Sequence, residues 1–200
     1  MSRYRWWIIV IGTCIGLLAA GWAIHAWLLI DLPAPGELPD RAAAPSSKIY
    51  DRHGQLLYEV IDPHLGKHSP LPLDQIPLAL QQATVATEDA HFYTNPGVEL
   101  RGIVRAMWIN LRGGDVLAGG STITQQVVRN VLMAPEERFE RTITRKLRES
   151  ILAWRLARIY SKREILALYL NEINYGNMAY GVEAAAHAYF GKAANELDLA

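Results

Sequence analysis

The feature that most limits how this chain can fold is "WWIIVIGTCIGLLAAGWAIHAWLLI", residues 6 to 30, which contains no Asp, Glu, Lys or Arg. In hydrocarbon every backbone N–H and C=O needs a partner within the segment, and a helix provides it. As a helix the run would extend about 38 Å, more than the roughly 30 Å of a bilayer's apolar core. Trp6, Trp7 and Trp27 stand near its ends, where indole rings suit the interface, and the leader "MSRYR" carries Arg3 and Arg5. The positive-inside rule then puts the N-terminus in the cytoplasm and everything after the run outside. The run exceeds the roughly 7 to 15 residues of a signal peptide's apolar region, and no clean small-residue cleavage site follows it, so an uncleaved anchor is expected.

"DLPAPGELPDRAAAP", residues 31 to 45, is rich in Pro and Ala and reads as a stiff spacer. The expected organisation is a cytoplasmic leader (1–5), a transmembrane helix (6–30), a linker (31–45) and one domain (46–200). Half of the 200 residues are hydrophobic, enough for a sizeable core, and formal net charge is zero. A global charge argument for nucleic acid is therefore absent, and none is expected as a partner. Charge is concentrated instead: residues 129 to 163 hold ten Lys or Arg against four Glu, a stretch suited to an anionic ligand. Cys14 is the only cysteine and lies in the apolar run, which rules out an intrachain disulfide and a thiolate metal site. His64 and His68 have helical ligand spacing, but the Pro and Gly in "DPHLGKHSP" make a surface loop the expectation.

Two short β-type runs flank "DRHG" in "SSKIYDRHGQLLYEV", a hairpin signal. Most of the rest has helical periodicity. "IPLALQQATVATED" places Leu78, Leu80, Ala83, Val85 and Ala86 on a face or in a wholly buried helix, with Pro77 in the first turn. "VELRGIVRAMWINLR" spaces Val98, Ile103, Met107 and Leu111 for a second helix, and "GGDVLAGG" then reads as a mobile loop. Further helices are expected from Ser121 or Thr122 as N-cap, from Phe139 to Ile159, after Ser161 as N-cap, and over "YGVEAAAHAYFGK" closing on Gly191. "NELDLA" looks like the opening of one more, so the domain is expected to continue past residue 200. The fold class is mainly α with a small N-terminal β hairpin, preceded by one transmembrane helix.

Three places could carry chemistry. Glu88 and Asp89 close an apolar helix and are followed by Phe92 and Tyr93, which suggests a cleft wall where a carboxylate could serve as general acid or base. Taken alone, the pair is more often a feature of a solvated face. Glu149 in "RKLRE" shares a helical face with Arg145 at i−4 and Lys146 at i−3, which is also the pattern of a weak surface ion pair. In "GGSTITQQVVRN", Gly120 allows close backbone approach, Ser121 and Thr122 open a helix whose free N–H groups favour an anion, and Gln125, Gln126 and Arg129 follow. No Lys-Ser or Lys-Thr follows the glycines, so nucleotide hydrolysis is not expected, and two adjacent glutamines on an apolar helix are costly unless partnered.

Read in order, "EDAHFYTNPG", "GGSTITQQVVRN", "RKLRE", "ILALYLNEINYG" and "GVEAAAHAYFGK" resemble glycosyltransferase family 51. These peptidoglycan glycosyltransferases occur alone or as the N-terminal part of class A penicillin-binding proteins, the 1C type among them. The likeness runs from about Lys48 to Lys192 and implies a lysozyme-like fold that polymerises lipid II outside the cytoplasmic membrane. By resemblance, Glu88 is the general base for the acceptor's GlcNAc 4-hydroxyl, which displaces undecaprenyl pyrophosphate from C1 of the donor's MurNAc with inversion. Glu149 matches the glutamate assisting at the donor side. Asp89, Phe92, Gly120, Ser121, Thr122, Gln125, Gln126, Arg129, Arg141, Arg145 and Lys146 fall on substrate-site positions. Some members use a divalent cation, magnesium or manganese. Two positions depart from the family pattern: Asn95 replaces a His, and Arg129 a Lys, whose compact ammonium differs from the guanidinium fork.

Two other readings remain open. A lysozyme-like hydrolase would cut the same glycan, but needs a water-activating or nucleophilic second carboxylate and no pyrophosphate site. A catalytically silent scaffold for divisome or elongation proteins would tolerate loss of both glutamates. No Ser-x-x-Lys nucleophile is present, so the sequence leaves open whether a transpeptidase domain accompanies this one.

Overall fold

A computed structural model describes residues 2–29, 32–38, 42–61, 66–99, 120–140 and 142–198. The helix expected after Val98 and the Gly-rich loop before Gly120 lie outside these residues, as do His64 and Arg141. The apolar run forms one helix, α1 (Ser2–Leu29), which also takes in the leader. Trp6, Ile11, Leu18 and Trp22 are all exposed along it. By length and composition α1 could cross a membrane.

The Pro/Ala-rich segment is partly bound to the domain. Pro35–Glu37 makes a 3₁₀ turn, and Leu38 next to it is completely buried in the main core. The expected hairpin follows as β1 (Lys48–Tyr50) and β2 (Leu56–Glu59), antiparallel with Ile49 opposite Tyr58. Asp51 shapes its turn by accepting the N–H groups of His53 and Gln55.

A second two-stranded sheet, parallel, joins β3 (Lys67–His68) to β4 (Ala179–Tyr180), distant in sequence. It puts His68 in the interior at 1 % exposure, against the surface loop expected there. The pairing, which periodicity cannot reveal, is the reason. The Ser46 N–H donates to the His68 carbonyl and the Ser46 hydroxyl accepts the His68 N–H, while Nδ1 lies 3.3 Å from the Ala44 carbonyl oxygen. Nε2 lies 3.0 Å from the Asn171 carbonyl oxygen and 3.4 Å from a Glu172 oxygen. Since both ring nitrogens face acceptors, the imidazolium alone satisfies them together. Burial opposes that charge, but the hydrogen bond and charge of Glu172, helped by both carbonyls, raise the pKa above the ordinary 6.5. A raised folded-state pKa gives stability that is full below about pH 6.5 and is lost as pH climbs through the folded value. Thermal melts from pH 6 to 9 should therefore fall more steeply for the parent than for His68→Gln; parallel curves would contradict the imidazolium.

Helix α2 (Leu78–Glu88) buries Val85, while Leu78, Ala83 and Ala86 stay exposed, so it packs on one side only and is not a wholly buried helix. Pro77 is its N-cap rather than a first-turn residue. Helix α3 (Ile123–Val127) is central, with Ile123, Thr124, Gln125 and Val127 all buried. It runs on into one wider turn, Val128–Leu132, in which the Met133 N–H reaches back five residues to the Val128 carbonyl.

The helix expected from Phe139 divides in two. Pro135 starts a short α4 (Pro135–Arg138), and Thr142 caps a new helix, α5 (Ile143–Ile159), by accepting the Arg145 N–H. Phe139 falls between them, exposed. Ser161 and Glu164 form the capping box that opens α6 (Lys162–Glu172), and α7 (Gly181–Phe190) ends at Gly191 in the left-handed region. The last stretch forms a single 3₁₀ turn, Ala194–Glu196, rather than the opening of a helix, and residues 199–200 lie outside the description. Ile123, Leu152, Leu156, Ile165 and Leu170, from α3, α5 and α6, are fully buried together.

Candidate active site

Helix α2 stops at Asp89, whose φ of −156° and ψ of 79° leave the helical region while its N–H still donates to Val85. The two carboxylates part at this bend. Glu88 stays on the last turn, exposed, whereas Asp89 turns inward to 9 % exposure. Below them Phe92 is completely buried, and Tyr93 stacks edge-on against it from the solvent side. One Glu88 oxygen accepts a 2.8 Å hydrogen bond from Gln126 Nε2. Glu88 therefore lies open, where the sequence suggested a cleft wall.

Asp89 is held by three hydrogen bonds from protein donors. Its oxygens accept Asn95 Nδ2 at 3.0 Å each, and Oδ2 also accepts the Ile123 N–H at 3.2 Å. The turn beyond is pressed against α5: Gly97 has a φ of +94°, and a Cβ there would lie 2.5 Å from the Ala153 carbonyl oxygen. Only glycine fits.

The start of α3 joins this turn to α5. Thr122 is the N-cap; its hydroxyl donates to the Gly97 carbonyl at 2.6 Å and accepts the Gln125 N–H, and the Gln125 side chain accepts the Thr122 N–H in return. The adjacent glutamines diverge, and each finds a partner. Gln125, 1 % exposed, donates to the Ser150 hydroxyl on α5, while Gln126 reaches Glu88.

Glu149 is fully buried, unlike a surface ion pair. Arg145 Nη1 and Lys146 Nζ each lie 2.5 Å from one of its oxygens, and Lys146 also donates to Ser121 at 2.6 Å. Arg145 further bonds the Glu140 carbonyl. Desolvation lowers the Lys146 pKa; Glu149 opposes this, and the charges of Arg145 and Arg129 add to it. Two cations on one carboxylate, with Arg129 near, leave this side of α3 net positive.

Around Glu88 stand two residues the sequence reading missed. Desolvation, then the Glu88 charge, pushes the Tyr175 hydroxyl up to about 12 and raises that of Tyr169 too, with Arg129 acting the other way on Tyr169. Both tyrosines belong to "ILALYLNEINYG"; periodicity marked that stretch as helix, and nothing in it pointed at Glu88.

The candidate residues thus fall into two sets. Glu88, Gly120, Ser121, Gln126, Arg129, Arg145 and Lys146 keep some exposure. Asp89, Phe92, Thr122, Gln125 and Glu149 are buried and engaged with protein, so they shape the site from beneath. Among the described residues no three His, Cys, Asp or Glu converge as metal ligands, and both Glu149 oxygens are occupied by cationic side chains. The described residues therefore assemble no all-protein site for a magnesium or manganese ion.

A family model described as transglycosylase matches residues 53–200. Penicillin-binding protein 1A of Escherichia coli (strain K12) is 39 % identical over 195 residues, 96 % of this chain and 22 % of that protein. Penicillin-binding protein 1A of Aquifex aeolicus is 41 % identical over 192 residues, covering 92 % of this chain and 26 % of the relative. The protein of the same name from Mycobacterium tuberculosis is 38 % identical over 175 residues, 88 % of this chain and 21 % of its own. The chain therefore spans about a quarter of the length of the curated relatives it matches.

Proposed function

Because the chain belongs to the transglycosylase family, glycosyltransferase family 51, we propose that it is a membrane-anchored peptidoglycan glycosyltransferase that polymerises lipid II into β-1,4-linked glycan. The observation that carries this reading is the partition of charge across α3: an open carboxylate, Glu88, on one side and the Ser121–Lys146–Arg145 cluster on the other.

Glu88 takes the proton from the acceptor's GlcNAc 4-hydroxyl as that oxygen bonds to C1 of the donor's MurNAc. The C1–O bond to undecaprenyl pyrophosphate breaks, and C1 inverts. Charge then develops on the leaving pyrophosphate oxygen, where Arg145, Lys146 and Arg129 stabilise it electrostatically. Gln126 holds Glu88 through a neutral amide, which fixes the carboxylate without neutralising it. Glu149, with neither oxygen free, acts through the cations it orients. Its enclosure also speaks against hydrolysis, which needs a second carboxylate open to water or sugar. Exposed apolar side chains along α1 support an anchor in the cytoplasmic membrane, N-terminus inside and catalytic domain outside.

Purified lipid II incubated with the full chain in detergent should yield lengthening glycan and free undecaprenyl pyrophosphate on a product gel. Shortening of added glycan with no polymer formed from lipid II would favour the hydrolase and defeat the proposal.

A further inference from the structure

Lys162, the first residue of α6, lies outside the five sequence motifs, yet it reaches the buried side of the Glu88–Asp89 bend. Its ammonium donates to Asn95 Oδ1 at 3.1 Å and stands 4.6 Å from the centre of the Phe92 ring. The same Asn95 oxygen accepts the Gly97 N–H at 2.9 Å, while Asn95 Nδ2 donates to both oxygens of Asp89. One amide thus bridges a cation and an anion, and only this orientation satisfies both. Asp89 in turn accepts the N–H of Ile123, the first residue of α3, and Gln126 three residues on is the partner of Glu88. The end of α2 is therefore fixed to α3 at two points, Asp89 to Ile123 and Glu88 to Gln126.

A carboxylate taken this far from water is costly unless opposite charge and hydrogen bonds compensate it. Asn95 and Ile123 supply the hydrogen bonds, and Lys162 faces Asp89 as the opposite charge. We propose that Lys162 is a positioning residue for the reaction: through Asn95 and Asp89 it holds the α2 terminus on α3 and so aims the Glu88 carboxylate at the acceptor hydroxyl. This rests on the reading of Glu88 as the base. Lys162 touches neither Glu88 nor substrate in it; without the cation, Asp89 draws water into the bend, the Ile123 attachment loosens, and Glu88 loses its fixed direction.

Lys162→Met keeps an unbranched stem over Phe92 and removes the charge. In the full chain in detergent with lipid II, kcat should fall at least about tenfold, since small misplacements of reacting groups cost that much or more, with KM within about twofold. Amide exchange measured by NMR should quicken at Ile123 and from Phe92 to Gly97, while Leu152 and Leu170 keep their protection. Lys162→Arg should recover most of the lost kcat. The proposal is overturned if the Met variant keeps parental kcat and parental exchange at Ile123, if exchange quickens equally at Leu152 and Leu170, or if Arg rescues nothing. Should Glu88→Gln prove active while Lys162→Met still frees the Ile123 amide, the base assignment falls and the role of Lys162 in holding the bend stands.

Discussion

Glu88→Gln is expected to reduce glycan synthesis from lipid II by about a thousandfold, the middle of the range for a positioned general base. The substitution isolates the chemistry. Gln126 donates to Glu88 Oε2, and a glutamine carbonyl at position 88 accepts the same hydrogen bond, so the contact between α2 and α3 survives. Glu88 is exposed, and exposed substitutions usually change stability by no more than about 0.5 kcal/mol. The variant should insert into membranes and melt like the parent while its rate of polymer synthesis falls. A rate near the parental one would remove Glu88 from the role of base.

What the sequence could reveal follows from the range over which each signal acts. Caps are local, and Thr122 and Ser161 are legible because each needs only a partner three residues away, whereas the Thr142 cap falls inside the run expected to be helical from Phe139. The pairing of β3 with β4 joins residues more than a hundred positions apart, and it turned His68 from an expected loop residue into a buried one. Charge pattern showed that Arg145, Lys146 and Glu149 share a face, but whether that face meets water depends on what packs there; the buried answer turned a weak surface pair into an enclosed cluster. The two glutamines were marked as needing partners, and they have them, in opposite directions.

Asn95 carries the clearest instance of a local oddity with a distant cause. As a departure from the resembled motif it put a charged role at that position in doubt. Its amide donates to Asp89 and accepts from Lys162 and Gly97, and an imidazole of either tautomer cannot reproduce two donated and two accepted bonds. Among the described residues, a cation reaches this side of the bend from Lys162, 67 residues further along the chain.

Glu149→Gln should act on stability and on rate together, unlike the change at Glu88. The parental carboxylate is fully buried with a cation on each oxygen. Replacing it leaves Arg145 and Lys146 side by side with no anion between them, and the new amide N–H₂ must face one of them. Breaking one member out of a buried ion cluster costs about 3 kcal/mol or more, which in a chain of this size lowers the melting temperature by roughly 10 °C. The rate should change in a pH-dependent way. The Lys146 pKa is already lowered by desolvation, with Glu149 the main influence holding it up. Removing that charge lowers it further, so the ammonium loses its proton earlier as pH rises, and the basic limb of the pH–rate profile moves to lower pH. At pH low enough to keep Lys146 charged, the variant should recover part of its polymerising activity. A variant that melts like the parent and keeps the parental basic limb would show that Glu149 does not hold Arg145 and Lys146 in the role proposed for them.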